Sequence, residues 1–130
     1  MLVINRFLVP DPAEAPDEVA EFTARAQAAL TVLAARPGYL RGSLGRAYDD
    51  PTHWTLLTEW ESVGAYRRAL GAFDVKVTAT PLLAQSLDEP SAYEVLGSAA
   101  PGAETVPAGS DLAGTAPPDA PAPGALRSRA

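Results

Sequence analysis

Between His53 and Arg68 the sequence HWTLLTEWESVGAYRR leaves little choice of structure. It predicts a strand that ends at Trp60, a turn over Glu61 and Ser62, and a helix that starts at once. On the strand, Trp54, Leu56, Thr58 and Trp60 fall on one face and His53, Thr55, Leu57 and Glu59 on the other, because successive side chains alternate. Ser62 is placed to accept a hydrogen bond from the first free amides of the helix, as an N-cap does. Behind it Val63, Tyr66, Leu70 and Phe73 recur at helical spacing, which predicts the apolar stripe. The turn is so short that the helix must fold back across the sheet it has just left.

The rest of the chain is placed around this unit. Leu2 to Val9 reads as a first strand, closed by Pro10 and Pro12, which cannot donate to a ladder. Within it Asn5 shares a face with Val3 and Phe7, so its carboxamide must find partners, either inside the protein or on a ligand. Pro16 to Arg36 reads as the long helix, with Val19, Phe22, Ala26, Ala29, Leu30 and Leu33 as its buried stripe. Asp17, Glu18 and Glu21 complement its dipole, and Pro37-Gly38 stops it. Tyr39 to Ala47 is the second strand, joined to the third by turn residues Asp49-Asp50-Pro51. Gly71 ends the second helix. Asp74 caps a brief helix through Val75 to Thr80, which Pro81 terminates. Leu82 to Pro90 is an irregular return, and Ser91 to Leu96 a last strand with Tyr93 and Val95 on one face.

Strand, helix, strand, strand, helix, short helix, strand is the order of an α+β, ferredoxin-like split β-α-β fold. A four-stranded antiparallel sheet then carries its helices on one face. If Asn5 faces the helices, the other face keeps apolar residues such as Ile4 and Leu8, and a soluble monomer rarely exposes a whole apolar sheet face. A homodimer packed sheet to sheet is the simplest solution.

Residues 98–130 hold six prolines, four glycines and ten alanines, with no aromatic residue and no apolar period. The expected organisation is therefore a domain over 1–97 followed by a disordered tail over 98–130. Ten basic residues, scattered in a chain of net charge −6, give no footprint for nucleic acid or an anionic membrane. The absence of cysteine removes disulfides and thiolate metal sites, and a single histidine, His53, argues against an imidazole metal site. No signal peptide or membrane span is read, so the expected compartment is the cytoplasm.

Two short segments resemble the antibiotic biosynthesis monooxygenase (ABM) family: Pro37-Gly38-Tyr39-Leu40 entering the second strand, and Trp60-Glu61-Ser62 followed by Ala65-Tyr66. The resemblance spans residue 1 to about 97 and implies a dimeric α+β barrel with a pocket between sheet and helices. It also implies one of several activities. Some members oxygenate polycyclic aromatic polyketides without metal or flavin, some degrade haem, and many have no assigned reaction. The haem-degrading branch uses an asparagine on the first strand, a tryptophan on the second helix and an iron-ligating histidine on the next. Asn5 matches the first, but the other positions fall at about Ala69 and near Thr78, which leaves iron without an axial ligand.

The resemblance thus points to a cofactor-independent monooxygenase acting on a small aromatic anthrone or quinol with O2, no cofactor being expected. A deprotonated, electron-rich ring reduces oxygen itself, and the protein orients the ring, favours the anion and excludes water. Asn5, Trp60 and Tyr66 are the candidate catalytic hydrogen-bonding groups, and Phe7, Leu70, Phe73 and Val77 the candidate substrate-binding walls. Each aromatic also has a plain core role on such a scaffold. Two other classes stay open: a non-oxidative polyketide cyclase-like enzyme, and a non-catalytic dimer that binds a small hydrophobic ligand.

Overall fold

The computed structural model describes residues 1–108, and the chain divides after Tyr93 into two units. In the first, β1 (Leu2–Leu8), β2 (Tyr39–Arg46), β3 (His53–Trp60) and β4 (Ala92–Tyr93) form one antiparallel sheet in the order β2-β3-β1-β4. Four helices accompany it: α1 (Pro16–Ala34), α2 (Val63–Leu70), α3 (Phe73–Thr78) and α4 (Thr80–Leu83). This is the α+β, split β-α-β arrangement that the element order predicts.

The alternation along β3 is strict. Trp54, Leu56, Thr58 and Trp60 are buried, while His53, Thr55, Leu57 and Glu59 are exposed or half-buried. β1 follows the same period, with Val3, Asn5 and Phe7 buried opposite Thr58, Leu56 and Trp54. One face of the sheet is therefore core, and α1 and α2 close over it. Phe22 of α1 meets Phe7 and Trp54 edge-on, at ring separations of 5.3 and 5.4 Å. Tyr66 of α2 lies 5.4 Å from Trp60.

Helix boundaries follow local chemistry. Ser62 has extended backbone angles and its Oγ accepts from the Ala65 amide at 3.1 Å, so the predicted N-cap is formed. Pro16 occupies the first turn of α1, with Asp17 and Glu18 beside it. That helix stops at Ala34, two residues before Arg36, and Gly38 turns the chain into β2 with a φ of 90°. Pro81 does not end the short helix over 75–80. It sits in the first turn of a further helix, α4, where its missing N–H costs nothing.

β4 is shorter than the strand expected over Ser91–Leu96. The edge of β1 is instead held by single backbone bonds, from the Leu87 amide to the Arg6 carbonyl at 2.7 Å and from the Ile4 amide to the Ser91 carbonyl at 2.6 Å. The face away from the helices carries Ile4, Leu57, Tyr93 and Leu8, the last 60% exposed. Leu40 is exposed at the irregularity between Tyr39 and Arg41, where β2 slips against β3.

In the second unit Gly97–Ser98 (β5) pairs with Val106–Pro107 (β6) as a two-stranded ribbon. Ser98, Val106 and Pro107 lie within the stretch expected to be a disordered tail from 98 onward. The rest of that stretch, 109–130, is outside the described residues.

Candidate functional site

The covered face of the sheet has an internal order that places its polar groups. Register sets Phe7 beside Trp54, Asn5 beside Leu56, and Val3 beside Thr58 and Gly42. Tyr39 pairs with Trp60 at the far end. Two aromatic clusters result: Phe7, Phe22 and Trp54 at one end, and Tyr39, Trp60 and Tyr66 at the other. Between them lie Asn5 and Thr58, the only buried polar side chains among the described residues, at 8% and 2% exposure. They sit in neighbouring rows of adjacent strands, in the diagonal relation that sets residues roughly 7–8 Å apart, a gap that a single bound atom can bridge.

Asn5 is an unpaired polar group near the core among the described residues; Arg36 is another, its Nε buried without a partner, whereas Asn5 keeps 8% exposure. Its backbone is tied into the ladder opposite Leu56, but among the described residues its carboxamide makes no hydrogen bond. One carbonyl acceptor and two N–H donors are thus presented inside the layer between sheet and helices. A cleft of about 180 Å³ opens two residues away along the same face, at Phe7, and is bordered by Val9, Phe22, Glu18 and Arg25.

The other candidates distribute unevenly. The Trp60 indole is fully buried and its N–H donates to Thr58 Oγ1 at 2.8 Å, so that donor is committed within the protein. Tyr66 is half-buried, its ring packs on Trp60, and its hydroxyl has no partner among the described residues. Phe7 is buried in the first aromatic cluster, and Leu70 packs half-buried against the core. Phe73 and Val77 do not line the interior. They stand 78% and 57% exposed on α3, whose Val75 faces inward instead. The helical stripe expected through Val63, Tyr66, Leu70 and Phe73 is also displaced: Ala65 and Ala69 are the buried residues of α2.

Thr58 is not singled out by the alternation of β3, which places it inside without saying what its hydroxyl does. The available signal is a hydroxyl on the buried period two residues before a tryptophan, a spacing that puts both on one face. His53 lies outside the site. It is exposed, with Nε2 3.2 Å from Asp50 Oδ2. Asp50 is held below the usual carboxylate range mainly by its hydrogen bond from the Thr52 hydroxyl, with the Thr52 amide adding to it.

Burial pushes the Tyr66 phenol above the ordinary tyrosine value, and the more open Tyr39 shifts in the same direction for the same reason. Tyr66 is therefore a neutral donor throughout the physiological range. A raised folded-state value means that stability is full below the ordinary tyrosine range and falls as pH climbs through and beyond it. Urea unfolding between about pH 8 and 11 is expected to show that decline, and Tyr66→Phe to flatten it. An unchanged slope in the variant would show that Tyr66 is as solvated folded as unfolded.

A family model for antibiotic biosynthesis monooxygenase matches residues 2–79. No curated protein matches the chain. Among solved structures, SnoaB, a cofactor-independent oxygenase from Streptomyces nogalater, is 29% identical, with 73% of this chain and 94% of that chain covered and a TM-score of 0.54. A mutant of SnoaB aligns at 31% identity over 66% of this chain and 82% of that one, again with a TM-score of 0.54. A conserved protein from Methanosarcina mazei Go1 is 21% identical over 70% of this chain and 84% of that chain, with a TM-score of 0.55, a likeness of fold alone.

Proposed function

The chain belongs to the antibiotic biosynthesis monooxygenase family, and from that premise we propose that it is a cofactor-independent monooxygenase, using O2 to oxidise an aromatic polyketide-like anthrone or quinol. The observation that carries this reading is the Asn5 carboxamide, nearly buried and without a partner among the described residues, between two aromatic clusters. The 29% identity to SnoaB over most of both chains supports the reaction class.

In this reading the substrate ring lies between sheet and helices with its oxygen at Asn5. An Nδ2–H donated to that oxygen stabilises the phenolate or enolate, and the low-polarity surroundings strengthen the bond. The anion passes one electron to O2, and the resulting radical pair joins to a substrate peroxide at the activated carbon. Loss of water from an anthrone peroxide leaves the quinone, so one O2 and one anthrone give one quinone and one H2O. Tyr66, kept protonated by its burial, is the second donor at the Trp60 end. Its phenol hydrogen-bonds peroxide oxygen and shields it from bulk water.

Oxygen uptake with a panel of anthrones and quinols is the test. Stoichiometric O2 consumption with quinone formation is expected. Turnover that proceeds unchanged under nitrogen would instead make it a cyclase-like enzyme, and binding without turnover a ligand carrier.

The same reading includes a homodimer closed over the outer sheet face, where Ile4, Leu57 and Leu8 lack any cover from the helices. Obligate interfaces bury more than about 2,000 Å² in total. Light scattering at micromolar concentration is expected to give twice the chain mass, and a stable folded monomer there would refute it. Among the described residues no helix is long and apolar enough to cross a membrane.

A further inference from the structure

Among the described residues the Thr58 hydroxyl accepts a hydrogen bond but donates none. The residue is 2% exposed, and its Oγ1 accepts the Trp60 indole N–H at 2.8 Å. An indole nitrogen only donates, so this bond uses a lone pair of the hydroxyl and leaves its proton to be placed. Other threonines place theirs. Thr23 and Thr31 donate to carbonyls one helical turn back, at 2.7 and 3.0 Å, and Thr52 donates to Asp50 at 2.6 Å. A threonine within a strand has no carbonyl one turn behind it, and among the described residues the Thr58 proton has no acceptor.

Its diagonal neighbour Asn5 is in the same condition. Together the two residues present three donor hydrogens and one carbonyl acceptor that no described residue engages, on the nearly buried Asn5 and the buried Thr58. A hydroxylic ligand in neutral form brings a proton of its own to a place already crowded with donors. An oxygen that carries charge and no proton accepts two or three hydrogen bonds there. The indole donor behind Thr58 adds to this, because a hydroxyl that accepts one hydrogen bond donates a stronger one.

We infer that Thr58 is a second oxyanion donor of this site: its hydroxyl, aimed by the Trp60 indole N–H, hydrogen-bonds the same ligand oxygen as Asn5, so that the pair selects the phenolate or enolate form of an aromatic ligand. This rests on the monooxygenase reading for the ligand class and adds a residue and an ionisation state to it. Trp60 acts through Thr58 as a positioning residue and does not touch the ligand with its N–H. The buried tryptophan is thus part of the site by way of the hydroxyl it holds.

The test uses a monohydroxyanthraquinone, a redox-stable probe whose single phenol changes its visible absorbance on ionisation. It is titrated against pH when bound to the full chain, to Thr58→Val and to Thr58→Ser. The wild type is expected to bind the anion preferentially. Thr58→Val is expected to weaken anion binding about 10- to 100-fold, as loss of a hydrogen bond to a charged group does, with neutral-form binding little changed. The ionisation of the bound probe then moves up by about one pH unit or more. Thr58→Ser restores both. A Thr58→Val profile that overlays the wild type overturns the inference and leaves the monooxygenase reading intact, whereas a wild type that binds no probe at all overturns both.

Because Thr58→Val strands the indole N–H and can impair folding, a crystal structure of the wild type with the probe tests the inference without any variant. The expected result is a probe oxygen within about 3.2 Å of both Asn5 Nδ2 and Thr58 Oγ1. An oxygen bound by Asn5 alone, with a water on Thr58, overturns the inference.

Discussion

Gly38→Ala is expected to destabilise the fold by about 2–5 kcal/mol, the sum of a backbone and a packing cost. The backbone cost arises because Gly38 holds a φ of 90°, a region that side chains other than glycine's rarely occupy. The packing cost arises because a Cβ built there would overlap the Ala65 methyl group. The Gly38 carbonyl also accepts the Glu61 amide at 2.8 Å, which ties the turn after α1 to the turn before α2. An alanine must therefore push the two turns apart or bend a backbone that is fixed at both ends. For a domain of this size the melting temperature is expected to fall by about 10 °C or more. Gly45→Ala is the control, since a Cβ at that position meets nothing within 4 Å. That variant should melt within about 2 °C of wild type, as surface substitutions generally do. If Gly38→Ala did the same, the turn would be free to relax and the close seat of α2 would not depend on it.

The Gly38–Ala65 contact also explains where sequence patterning works and where it stops. β3, the Ser62 cap and the stripe of α1 follow from periodicity and from capping chemistry, both of which are local, and all three are present. The stripe of α2 departs from its spacing for two physical reasons. Where a helix comes close to a turn, volume decides the innermost position, so Ala65 and Ala69 take the centre and Tyr66 and Leu70 move to the flanks. Counting on from Leu70 to Phe73 also crosses a break. α2 ends at Leu70 and α3 begins at Phe73, so helical spacing carries no phase information across Gly71 and Ala72. Phe73 and Val77 consequently face outward, although they look like pocket walls in the sequence. Asn5 is legible because an amide on an apolar strand face breaks a pattern. Thr58 breaks none, since threonine is an ordinary strand residue, and its hydrogen bond from the Trp60 indole is one that spacing alone does not report.

Asn5→Ala is expected to lower turnover of an anthrone or quinol about 10²–10³-fold, the scale of removing one oxyanion donor. Stability should hardly move. Truncating a buried polar group costs most when it strands a protein partner, and in this chain no described residue bonds the Asn5 carboxamide. The loss is then limited to a few packing contacts in a row whose other members, Leu56 and Leu44, are apolar and can close in. The opposite signature is equally specific. If the carboxamide bridges protein groups through tightly held water, Asn5→Ala costs about 1–3 kcal/mol of stability and leaves the rate per folded molecule unchanged. Melting curves and single-turnover rates on the same preparation separate the two outcomes. Asn5→Asp refines the test, because a carboxylate keeps the size of the side chain and reverses its role from donor to anion. It should bind a neutral aromatic ring nearly as well as wild type and reject the phenolate, so that turnover falls at least as far as in Asn5→Ala. Retained activity in Asn5→Asp would show that the group meets its ligand through the carbonyl, and oxyanion stabilisation would then have to come from elsewhere in the site.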